Sequence, residues 1–267
     1  MDYRVSKYSN LRNGNYEWLG MDDKELFVEN CKEYPNSKSL KYYKENPIEY
    51  SFNNYGFRTP DDFNDTEYGN VFLGCSHTMG VGHHLENTWA HKVNKKVGGK
   101  FWNLSQGARG IQTDYRLLFA WKDTLKIKNI FHYTVPWPRY EFFDETEMIY
   151  LTPHNKNIKP YKWKFFVDIL AGEEYCNYNQ MVYINAIKGL SQEIGCNYYY
   201  LTPEMLEWPT PLIENQLAYS VAEYKPTLRG KLDENDTTLC ARDLKHYSVD
   251  RLNVIYENMM EYINEKT

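Results

Sequence analysis

Val71-Phe72-Leu73-Gly74-Cys75-Ser76-His77-Thr78-Met79-Gly80-Val81-Gly82 is the stretch on which the reading of the fold turns. Its first three residues form a short continuous apolar run, as expected of a strand buried on both faces of a parallel sheet. The run stops at Gly74, and Gly80 and Gly82 mark a loop leaving the strand's carboxyl end. A helix is expected next, over about 88–97. The alternation then repeats. Lys100-Phe101-Trp102-Asn103-Leu104 reads as a second strand, followed by Ile111, Tyr115, Leu118, Phe119 and Leu125 at helical spacing. Residues 130–135 read as a third strand and 197–201 as a fourth, with a helix over about 179–194 before the latter. The last helix is expected to be capped by Ser248, to carry Asp250 in its first turn, and to bury Leu252, Ile255, Met259 and Ile263.

Strands alternating with helices imply a parallel sheet covered on both faces, because parallel strands need crossover connections. Such sheets place their sites at the carboxyl ends of the strands, which selects the loops after Leu73, Leu104, Val135 and Leu201. Two of these loops are long, 136–176 and 202–240. The first is rich in aromatic residues, among them Trp137, Tyr140, Trp163 and Phe166, and reads either as a lid or substrate wall or as an added packed subunit. With no internal repeat or linker, residues 1–65 read as an N-terminal appendage with a short hairpin over 50–58, and 66–267 as the α/β domain.

Composition narrows the function. The 267 residues are 42% hydrophobic and 25% charged, enough to bury a core. A net charge of -5 argues against a nucleic-acid partner, whose phosphates need a basic face. No apolar run approaches the roughly 20 residues of a membrane span, and the opening Met1-Asp2-Tyr3-Arg4 lacks a signal peptide's apolar core. A cytoplasmic chain without a membrane partner is therefore expected. Five scattered cysteines without a CxxC pair read as reduced thiols. The 25 tyrosines either pack in the core or stack on sugar rings.

Two short stretches could carry chemistry. Ser76 follows an apolar strand directly, beside Gly74 and ahead of Gly80 and Gly82. A serine nucleophile needs that exposure and nearby backbone N–H groups to hold a developing oxyanion. A helix cap is the competing reading, and no lysine follows to make a phosphate loop. Asp243-Leu244-Lys245-His246 lies far away in sequence, just before the last helix. One turn separates its carboxylate from its imidazole, so the aspartate can hold one ring nitrogen and leave the other to accept a proton. His77, His83, His84 and His91 match no metal-ligand spacing and read as polar or packing residues, so no metal or cofactor is expected. Cys75 is a second candidate nucleophile.

Gly74-Cys75-Ser76-His77-Thr78, Asn103-Leu104-Ser105-Gln106-Gly107 and Asp243-Leu244-Lys245-His246 together resemble the SGNH (GDSL-like) hydrolase superfamily, over roughly 71–262. Asn53-Asn54-Tyr55-Gly56-Phe57-Arg58 is similar to the lead-in of some carbohydrate-esterase-like members. The resemblance implies a three-layer α/β/α, flavodoxin-like fold with a parallel sheet of about five strands. It also implies a serine esterase acting on an O-acyl ester, with a small molecule or an O-acylated carbohydrate as substrate. Ser76 would be the nucleophile, His246 the general base and Asp243 its orienting carboxylate. The oxyanion would be held by the N–H of Ser76, by that of Gly107 (Gly110 fits almost as well) and by a third donor. The family's asparagine block is missing after the third strand, where Thr134-Val135-Pro136-Trp137-Pro138-Arg139 stands, so either Arg139 takes the third place or the third donor is absent. His77, Trp137 and Arg139 are expected to contact substrate. The departure leaves two alternatives open: an O-acyltransferase using the same residues, and a glycan-binding or assembly module without turnover.

Overall fold

The computed structural model describes residues 2–20, 22–64, 66–134, 138–143, 148–152, 160–203, 219–221 and 239–266. Val71, Phe72 and Leu73 are each fully buried, which is possible only where both faces of their strand are covered. That strand, β1 (Tyr68–Gly74), belongs to a five-stranded sheet with β2 (Lys100–Asn103), β3 (Lys126–Tyr133), β4 (Asn197–Pro203) and β5 (Tyr219–Val221). The order is β2-β1-β3-β4-β5, and every pairing is parallel. The chain runs from β1 to one neighbour, then crosses over to β3 on the other side, so the crevice at the carboxyl end of β1 lies at the switch point.

Strand side chains alternate between two cores. Val71, Leu73, Trp102 and Ile130 pack with Leu117 and Leu118 of α5 (Ile111–Trp121) and Ile184 and Ile187 of α7 (Glu173–Ile194). Phe72, Phe101, Phe131 and Leu201 pack with Trp89 and Val93 of α4 (Trp89–Val97) and Leu252, Ile255 and Met259 of α8 (Val249–Lys266). This is the three-layer α/β/α arrangement. Thr88 caps α4 by accepting from the His91 N–H, and Ser248 accepts weakly from Arg251 N at 3.4 Å at the start of α8.

Several elements differ from the sequence reading. α5 ends at Trp121, leaving Leu125 buried in the loop beyond it, and Phe119 faces solvent at 51% exposure because it lies on the helix's outer side. α7 begins at Glu173, several residues before the expected start. β3 ends at Tyr133, and Val135 lies outside the described residues. The hairpin expected over 50–58 does not form. Tyr50–Ser51 pairs instead with Asn15–Tyr16, and Asn53 closes a tight turn with Gly56 and Phe57. The weakly periodic N-terminal stretch contains two helices, α1 (Lys24–Glu33) and α2 (Lys38–Glu45), capped by Asp23 and Ser37. Neither long loop is irregular throughout. The first holds an antiparallel pair, Tyr140–Phe143 with Met148–Leu151, and α6 (Pro160–Phe165), while the second supplies β5.

Candidate active site

β1 delivers its last residue, Gly74, in a left-handed conformation (φ +138°), with Thr78 Oγ1 and the Tyr133 carbonyl where a side chain would lie. Only glycine fits there. Its N–H donates to Asp114 Oδ1 of α5 at 3.0 Å. The other carboxylate oxygen faces His132 Nε2 at 3.2 Å, and His132 Nδ1 faces the Tyr198 hydroxyl at 2.9 Å. The turn before Ser76 is therefore tied to a polar network buried behind the sheet. Ser76 itself opens a four-residue helix, α3 (Ser76–Met79), where a plain loop is expected from sequence. It is 8% exposed.

The second stretch is not helical. Asp243 Oδ1 accepts from the N–H groups of Lys245 (3.0 Å) and His246 (3.1 Å), with Leu244 at φ +55°. This Asx-type turn folds the His246 ring back onto the carboxylate that makes it. His246 Nδ1 lies 2.6 Å from Asp243 Oδ2. Burial opposes the charge on Asp243, but the His246 ring and the backbone N–H groups of Lys245 and His246 outweigh it and hold the carboxyl below its usual range. A carboxylate only accepts, so Nδ1 carries a proton, and Nε2 is the nitrogen left to accept one in the neutral ring.

Contacts between loops bring the two stretches together. Gly82 accepts from the Arg242 N–H at 2.9 Å, and a side chain at Gly82 (φ +80°) would meet Ala241 at 3.0 Å. The His77 ring lies 5.3 Å from that of His246 and stacks on Tyr247 at 3.8 Å. The loop that bears Ser76 and the turn that bears His246 thus meet at one sheet end. Among the described residues, however, Ser76 Oγ makes no hydrogen bond, to His246 or to anything else. His77 is held neutral, its pKa driven well below the usual range by lost hydration first and then by the charges of His246, Arg139 and His83.

The other expected residues are placed as follows. Gly107 adjoins the serine: a Cβ there would lie 3.9 Å from Ser76 Cβ and 2.6 Å from the Tyr8 hydroxyl. Gly110 packs on the Arg139 carbonyl and caps α5, so of the two glycines Gly107 is the one at Ser76. Arg139 is near enough for its charge to bear on His77 and Lys7. Trp137 lies outside the described residues. Cys75 points into the core at 2% exposure, among the residues packed on α4 and α8.

The N-terminal segment frames this site, which its weak periodicity gave no reason to expect. The buried Arg58 guanidinium donates to the carbonyls of Met79 (3.1 Å), Gly80 (2.6 Å) and His83 (2.8 Å), fixing the loop after Ser76. Asp22 pairs with Arg242 at 2.7 Å and accepts from Tyr50, whose hydroxyl takes the Gly82 N–H at 2.7 Å. Lys7 N donates to Gln106 Oε1 (3.0 Å) and Lys7 Nζ to the Gly107 carbonyl (3.0 Å). Burial raises the Tyr8 phenol to about 12, against the pull of Arg109 and of the Gly107 backbone. One signal was readable beforehand: Arg242 directly precedes the expected Asp243.

The histidines around Ser76 each have a packing or hydrogen-bonding partner. His83 Nε2 faces the Tyr247 carbonyl at 2.6 Å, so that nitrogen bears the proton, and Nδ1 faces Tyr43 at 3.2 Å. Burial lowers its pKa to about 4. His84 packs on Tyr43 and His91 on Phe101. Among the described residues, no three His, Cys, Asp or Glu side chains are arranged to hold a metal, and no helix is long and apolar enough to cross a membrane. No protein-family model matches the chain, and no curated protein does.

Proposed function

We propose that the chain is a serine esterase of the SGNH type, cleaving an O-acyl ester through Ser76, His246 and Asp243. The observation that carries this reading is the 2.6 Å Asp243–His246 bond, which puts a proton on Nδ1 and leaves Nε2 as the acceptor of the neutral ring, on a turn beside the loop bearing Ser76. His246 Nε2 takes the hydroxyl proton as Ser76 Oγ attacks the ester carbonyl. The proton then passes to the departing alkoxide. Water, giving its proton to His246, attacks the acyl-enzyme, and His246 returns that proton to Ser76 Oγ as the acid leaves. The oxyanion is received by the N–H groups of Ser76 and Gly107, with the Tyr8 hydroxyl or Arg139 as third donor. Hydrogen bonds of this kind are commonly loose before substrate binds, which accommodates the unbonded Ser76.

Ser76→Ala should abolish turnover of a short-chain aryl acetate, and wild-type turnover in that variant would remove Ser76 from the mechanism. An O-acyltransferase would use the same residues, and product formation that depends on an added sugar acceptor and outruns hydrolysis would identify it. The missing Ser76–His246 bond also favours a third reading, a glycan-binding module without turnover. Glycan binding in a chain inert to aryl acetate would establish that reading.

A further inference from the structure

Cations gather around the Gly107 side of the site. Lys7 reaches from the N-terminal segment to the Gly107 carbonyl, the residue that adjoins Ser76. Arg109 lies two residues further on, its guanidinium 3.1 Å over the Tyr150 ring. The Arg109 side chain also hydrogen-bonds Tyr150, while Arg109 Nε is buried without a hydrogen-bond partner among the described residues. Arg139 lies on the same side, its backbone against Gly110. These charges repel one another in a chain whose net charge is -5. Among the described residues, the carboxylate whose charge reaches Arg109 is Glu141, and it is already engaged: Arg116 holds both its oxygens at 2.5 and 3.1 Å, and Thr113 donates at 2.8 Å.

Much of Lys7 is open to solvent, yet its ammonium end is crowded. Lost hydration, then the charges of Arg109 and Arg139, lower its pKa to about 8. Below that value the ammonium is held near two guanidinium groups at a cost that an arriving anion would offset.

We propose that the substrate carries an oxyanion group, a carboxylate or a phosphate, seated on Lys7 and Arg109 beside Gly107. This rests on the hydrolase reading only for where the ester lies; the anion site stands on its own geometry. The test is equilibrium binding by calorimetry at pH 7, where Lys7 keeps its charge. Three non-hydrolysable probes are compared: 4-acetamidobenzoate, 4-acetamidophenyl phosphate and neutral 4-acetamidobenzamide. At least one anion should bind about ten-fold or more tightly than the benzamide in low salt, and the preference should shrink at about 0.5 M NaCl. The favoured anion then distinguishes an acidic from a phosphorylated substrate. In the Lys7→Gln/Arg109→Gln double variant the preference should vanish. Binding of all three probes within about three-fold in the wild type, or a preference that persists in the double variant or in high salt, would overturn the proposal. Because the readout needs no turnover, an inert chain that still selects the anion would refute the esterase and not the anion site.

Discussion

Asp243 has two oxygens with different duties: Oδ1 makes the turn by accepting from the N–H groups of Lys245 and His246, and Oδ2 takes the imidazole. Asp243→Asn separates them. The amide oxygen can keep the turn, while the amide nitrogen, now a donor, faces Nδ1 and turns it into an acceptor. The ring proton then moves to Nε2, which can no longer take a proton from Ser76. Under the proposed mechanism, kcat should fall by about 10³–10⁴ while the fold survives. A variant with near-wild-type kcat in steady-state hydrolysis of an aryl acetate would show that Asp243 does not set the tautomer. The Asp243–His246 spacing was readable in the sequence. The turn was not, because it depends on a positive φ at Leu244 that nothing about leucine announces.

At the scale of elements, β1 was legible because both its faces are covered, so burial wrote itself into consecutive apolar residues. β5 (Tyr219–Val221) was not, since a three-residue edge strand carries no periodicity of its own. The hairpin expected over 50–58 failed for a similar reason: Tyr50–Ser51 found its partner at Asn15–Tyr16, a long-range pairing that local alternation cannot encode. The junction of β1 with α5 also carries a prediction. Asp114 joins the Gly74 N–H to His132, both buried. Asp114→Ala strands these partners inside the protein and should lower unfolding free energy by about 2–4 kcal/mol in urea titration. A loss below about 0.5 kcal/mol would mean that water or a shifted backbone replaces the carboxylate.

For the whole molecule, the sheet order makes the site and the N-terminal segment completes it. The switch point between β1 and β3 places Ser76 at the carboxyl edge. Arg58, Asp22 and Tyr50 hold its loop against the turn that carries His246, and Lys7 supplies charge. An appendage by its sequence is thus a wall of the candidate site. Its contribution was hidden because single polar residues reaching across the fold leave no pattern. The central claim, that Ser76 is an activated nucleophile, is tested most directly by treating the intact protein with a fluorophosphonate and locating the adduct by mass spectrometry. One covalent adduct on Ser76, lost in His246→Ala, is the result this account predicts. No adduct, or one on another residue, would contradict it.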